Sequence, residues 1–214
     1  MEKYFALDMP AARFAWNTLA VSLLGLVPLL IVYVALTPGF GGMLLGGGPA
    51  LGRFLRQVLT NGLPVVFAVN YLGFFLFALL AARKGPDRGL RLVLLIDLPA
   101  RVALFSLLHA AIYVLSADWF GSFGGSRLTA LRVVAPTLAR SAQFENLSGV
   151  YLYATLFGAL PLYLRALRGL PVFRRTGSQV VKRWGPVLLA LMIFALFVMA
   201  LTAVMAAIAR WQIS

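Results

Sequence analysis

The sequence predicts an all-α integral membrane protein: a single domain of about five transmembrane helices, with short interfacial helices beside them. Three observations carry this expectation. Hydrophobic residues make up 62% of the chain and charged residues 12%, against roughly 45–50% and about 25% in a soluble domain. The apolar residues gather in five tracts of the length a helix needs to cross about 30 Å of hydrocarbon. The tryptophans Trp16, Trp119, Trp184 and Trp211 fall near tract ends, where an aromatic belt would place them.

The five tracts cover about residues 12–36, 63–82, 98–117, 147–167 and 185–209. Ahead of the first, MEKYFALDMPAARF mixes charges of both signs and lacks a small-residue cleavage site, which argues against a cleavable signal peptide. Between the first and second lies TPGFGGMLLGGGP. It has neither a preceding strand nor a terminal Gly-Lys-Ser/Thr, so it is read as a surface loop and not a phosphate loop. GRFLRQVL then suits one or two turns of interfacial helix.

In the connection of about thirty residues after the third tract, Leu128, Leu131, Ala135, Leu138 and Ala142 recur at helical spacing, opposite Arg132 and Arg140. This predicts a short interfacial helix, bent at Pro136 and packed on the ends of the bundle. Asn146-Leu147-Ser148 matches a glycosylation acceptor, which abuts the fourth tract and is read as chance.

Charge distribution gives the orientation. Lys3, Arg13, Arg83, Lys84, Arg88, Arg91, Arg165, Arg168, Arg174, Arg175, Lys182 and Arg183 fall on one side; Arg53, Arg56, Arg127, Arg132, Arg140 and Arg210 fall on the other. The larger set marks the cytoplasmic side, so the expectation is N-terminus in and C-terminus out. The excess of Arg over Lys and the abundance of Ala suit a GC-rich bacterial genome and an inner membrane. The net charge of +13 would suggest nucleic acid in a soluble protein. Here the basic residues sit where lipid headgroups would be, and no aromatic-basic or zinc-finger pattern accompanies them, so no nucleic-acid partner is expected.

Two groups of residues stand out as candidate sites. The first is the fourth connection, RALRGLPVFRRTGSQVVKRW, with Arg165, Arg168, Arg174, Arg175, Lys182 and Arg183 and no acid. It reads as a surface for anionic lipid headgroups or for acidic residues of a partner subunit. The second is LLIDLPARVALFSLLH, which carries Asp97, Arg101 and the single histidine, His109, inside an apolar run.

Asp97-Leu98-Pro99-Ala100 repeats the pattern of Asp8-Met9-Pro10-Ala11 before the first tract. Asp accepts from the free N–H groups of a first helical turn, and Pro is tolerated there. The recurrence favours capping, with the third helix starting at Leu98 and Asp97 at the interface. The alternative is a helix running straight through from about Gly89, which would bury Asp97 and put Arg101 near the bilayer centre, as in a proton or ion relay. His109 is expected to hydrogen-bond across a helix interface.

The missing chemistry is also informative. Without cysteine there is no disulfide or thiolate site, and one histidine cannot by itself make a metal or haem site. No HExxH, GxSxG or Walker pattern occurs, so no catalytic residue is assigned and an enzyme is not expected. The sequence names no cofactor. The leading expectation is a non-catalytic subunit or scaffold of a larger membrane complex, binding partner subunits and anionic lipid; the alternative is a homo-oligomeric small-solute or ion transporter subunit.

Overall fold

The computed structural model describes residues 1, 3–46, 48–119 and 121–211. Among these, the regular structure is helical throughout: α1 (Ala11–Leu36), α2 (Phe40–Leu45), α3 (Ala50–Gln57), a π-helical turn (Val58–Gly62), α4 (Leu63–Lys84), α5 (Pro86–Trp119), a short 3-10 turn (Ser122–Gly125), α6 (Arg127–Ala142), α7 (Leu147–Phe157), α8 (Leu160–Arg168), α9 (Pro171–Arg174) and α10 (Gln179–Trp211). Five helical stretches are long and apolar enough to cross a membrane: Ala11–Leu36, Ala50–Lys84, Pro86–Trp119, Leu147–Arg168 and Gln179–Ile208. The chain is an all-α, multi-pass bundle.

Several elements differ from the sequence expectation. The third spanning helix begins at Pro86 and runs 34 residues without interruption, so Asp97 does not cap a helix start. The apolar run RLVLLI ahead of it continues the helix, and Pro99 lies inside it. Proline has no N–H for the Leu95 carbonyl one turn back; beside that position the Tyr163 hydroxyl donates to the Leu94 carbonyl at 3.0 Å and ties α8 to α5. Asp8 is no cap either: α1 is entered through Pro10 with no side-chain cap bond.

The segment around residues 52–59 is not a separate interfacial helix. α3 passes through the π-helical turn directly into α4. The fourth span is broken between α7 and α8 at Gly158 and Ala159.

α6 forms where the periodicity placed a helix, but its buried face is Ala130, Val134, Thr137, Leu138, Ser141 and Ala142, while Leu128 and Leu131 are exposed. It packs between α5, α7 and α10, so its smaller residues face the bundle. Asn146 has a structural part: its Oδ1 accepts from the Gly149 N–H and caps α7. Trp16, Trp119 and Trp184 are exposed near helix ends; the Trp211 side chain lies outside the described residues.

In hydrocarbon, helices are not held together by the hydrophobic effect, since lipid is as apolar as leucine; packing and interhelical polar contacts do that work. Two aromatic arrangements illustrate it. Phe5, ahead of α1, stacks on Phe74 of α4 with ring centroids 3.9 Å apart, and Phe14 meets Tyr71 edge-on. The Thr202 hydroxyl ties α10 to α6 through the Ala142 carbonyl. The helix ends that carry the twelve basic residues converge at one end of the bundle. There Asp87 at the start of α5 lies 3.7 Å from Arg165 at the end of α8, and Phe173 of α9 covers Gly185 of α10.

Candidate functional site

The first site is a polar network inside the bundle. Counting from Arg91, the last basic residue before the apolar run, Arg101 stands ten residues along α5. At about 1.5 Å per residue this is roughly 15 Å, half of a core about 30 Å thick. Arg101 and Asp97 are nevertheless 2% and 1% exposed. The arginine satisfies its charge on three sides. Its Nε donates to Asp97 Oδ2 at 2.9 Å, and its Nη1 donates to the Asn70 side-chain oxygen and to the Thr155 carbonyl, the latter at 2.9 Å. Asn70 in turn donates to the Ser22 hydroxyl at 2.9 Å, and Ser22 donates to the Thr18 carbonyl. The guanidinium also lies 5.5 Å from the Phe74 ring centroid.

Four spans therefore meet at one ion pair, and local sequence explains how each reaches it. In the broken fourth span, the Ala159 N–H turns back to the Leu156 carbonyl. A regular helix would direct it to Thr155, whose carbonyl is instead met by Arg101. Two glycines make the room: a Cβ on Gly73 would collide with the Arg101 guanidinium, and a Cβ on Gly158 with the Asn70 amide. Asp97 Oδ1 and Arg101 Nη2 make no hydrogen bond. A cavity of about 230 Å³ between α4 and α5 is walled by Gly73, Asp97, Arg101 and neighbouring aliphatic residues.

Asp97 and Arg101 are thus brought together, while His109 is not part of the network. It sits two turns further along α5, its ring between Phe105 and Tyr113 with centroids at 5.8 and 4.8 Å. The hydrogen bond expected across a helix interface is not made by its Nε2. Among the described residues no group of His, Asp or Glu side chains is arranged to hold a metal.

The second site is at the basic end. A cavity of about 570 Å³ opens between the start of α5, the end of α8 and α9. It is lined by Asp87, Arg91, Arg165 and Arg174 together with Leu90, Leu94, Leu167 and Leu170. A smaller cavity of about 290 Å³ adjoins it, walled by Gly169, Pro171, Arg174 and Arg175. Of the six basic residues singled out in the fourth connection, Arg165, Arg174 and Arg175 line these cavities. Arg168 is exposed outside them, and Lys182 and Arg183 stand on α10, Arg183 over its neighbour Trp184.

Arg91 and Asp87 were not legible as part of this site, because 74 residues of sequence separate Arg91 from Arg165. Ser22 and Asn70 could be picked out as polar points within spans, but not as partners. Comparison of the chain with known families, with curated proteins and with solved structures finds no match in any of the three.

Proposed function

We propose that the chain is a non-catalytic, membrane-embedded subunit or scaffold of a bacterial inner-membrane complex, holding anionic phospholipid at its basic end and offering apolar spans to partner subunits. The observation that carries this reading is the cavity between α5, α8 and α9. It combines three arginines with a wall of four leucines, which matches a phosphate head joined to acyl chains. Arginine suits phosphate because its planar fork can donate two parallel hydrogen bonds. Basic pockets between helices at the cytoplasmic face bind acidic headgroups for this reason. α10 supports the partner half of the reading: little of its apolar length is buried within the chain, leaving Leu188, Met192, Leu196 and Met199 turned outward.

The test is retention of lipid through purification in a mild detergent. Wild-type protein is expected to keep anionic phospholipid in preference to zwitterionic lipid. Arg165→Gln combined with Arg174→Gln should lose most of it, at roughly fivefold per arginine, with zwitterionic lipid unchanged. Equal retention by the double variant at all salt concentrations would end the reading.

Orientation has its own test. Reporter fusions after Lys84 and Arg175 are expected to report cytoplasm, and a fusion after Ser214 periplasm, from the twelve-to-six distribution of basic residues. A cytoplasmic C-terminus would contradict it.

The buried ion pair and the broken fourth span favour a second reading, a small-solute or ion transporter subunit. In that case Asp97→Asn would abolish solute flux into liposomes while the protein still folds.

A further inference from the structure

The two cavities at the basic end share a wall. Gly169, Pro171 and Arg174 line both the chamber of about 570 Å³ and the chamber of about 290 Å³. Arg91 and Arg165 belong to the larger chamber alone, and Arg175 to the smaller alone. One phosphodiester in the larger chamber would be met by Arg91, Arg165 and Arg174, with Asp87 at 3.7 Å from Arg165 offsetting part of that charge. Such a ligand would leave Arg175 and the smaller chamber without an anion. The four arginines and one aspartate lining the two chambers sum to three positive charges, enough for two singly charged phosphodiesters. Aliphatic wall is confined to the larger chamber, where Leu90, Leu94, Leu167 and Leu170 would lie along acyl chains.

Resting on the anionic-lipid reading above, we infer that the ligand is a phospholipid with two phosphodiester groups on a short bridge, of the cardiolipin type. One phosphate occupies the larger chamber and the other the smaller, with Arg174 between them. Gly169 and Pro171 fit this arrangement: the pair ends α8 and begins α9, so Arg174 is set off α8 and forms the partition between the chambers. A ligand with a single phosphate satisfies one chamber and gains nothing from the second.

The experiment uses the full-length delipidated protein and native mass spectrometry in a neutral detergent. The titrants are tetraoleoyl cardiolipin, twice its molar amount of dioleoylphosphatidylglycerol, and deacylated cardiolipin, the water-soluble headgroup that keeps both phosphodiesters. Wild-type protein is expected to bind cardiolipin at least about fivefold more tightly than phosphatidylglycerol, the increment of one further arginine engaged. Arg175→Gln should bring that ratio close to one while leaving phosphatidylglycerol binding unchanged. Arg91→Gln should weaken both lipids.

A wild-type ratio near one, with both anionic lipids bound above phosphatidylcholine, overturns the two-phosphate assignment and leaves the anionic-lipid reading standing. No preference over phosphatidylcholine ends both. Displacement of cardiolipin by its deacylated headgroup at equal concentration would mean that the leucine wall contributes nothing and that the ligand is a soluble bis-phosphodiester, which also overturns the lipid assignment. An Arg175→Gln variant that keeps the full preference removes the smaller chamber from the site.

Discussion

Asp97→Ala is expected to destabilise the folded protein by about 3–5 kcal/mol, because it leaves the Arg101 guanidinium buried without its counter-charge. Arg101 keeps Asn70 and the Thr155 carbonyl as acceptors, yet neither carries charge, and Arg91, the nearest basic residue before the apolar run, is about 15 Å away along α5 by helix rise. The loss is much larger than that of an ordinary interhelical hydrogen bond in a membrane, which averages about 0.6 kcal/mol. Removing both charges should do less harm. In Asp97→Leu combined with Arg101→Met, no charge is left in the interior, so most of the lost stability should return. The midpoint of unfolding in mixed micelles of rising dodecyl sulfate content would measure Asp97→Ala, the double variant, and its two single members Asp97→Leu and Arg101→Met. A double variant as unstable as the sum of the two single changes would show that the pair is not a charge-compensated unit.

Gly158→Ala is expected to cost about 2–3 kcal/mol, the range for forcing an extra group into a packed interior. The nearest atoms that the new methyl group meets all belong to the Asn70 side chain. Asn70 cannot swing aside freely, since its amide donates to Ser22 and its oxygen accepts from Arg101. The cost is therefore conditional on Asn70. In an Asn70→Ala background the obstructing atoms are gone, and Gly158→Ala should cost less than about 1 kcal/mol. The same unfolding measurement on the four members of this cycle decides the matter. Additive costs would mean that Gly158 serves the break between α7 and α8, and not the close approach of α4.

Composition and apolar run length determined the class of this protein by themselves. A chain with so few charges cannot cover a water-exposed surface, and helices satisfy their own backbone in lipid, so five spans followed from counting. Which helix ends share one face then follows from the alternation of the spans, while the orientation read from the basic residues rests on the reporter fusions. Local signals were less reliable. The Asp-x-Pro-Ala pattern at residues 8–11 and 97–100 reads as a helix start in both places, because a proline at a helix start and one inside a continuing helix have the same local sequence. α1 does start at Ala11, whereas α5 runs straight through residues 97–100. Only the tertiary structure shows that α5 continues through Pro99, packed against α4, α6, α7 and α8. The periodicity of α6 located the helix and half of its inner face: Leu138 and Ala142 are buried and Arg132 and Arg140 exposed as expected, but Leu128 and Leu131 are exposed and Ala130, Val134 and Ser141 face the bundle in their place.

Tertiary structure alone decided the partners. Asp97 and Arg101 are one turn apart and could be paired from sequence, but Ser22, Asn70 and the Thr155 carbonyl come from three other helices. Likewise Arg91 joins Arg165 and Arg174 only when α5 packs beside α8. The physical reason is the same in both sites. A helix restricts which residues share its own face, whereas a polar group is satisfied by whatever the fold brings within about 3 Å, and that is set by the packing of all the helices together.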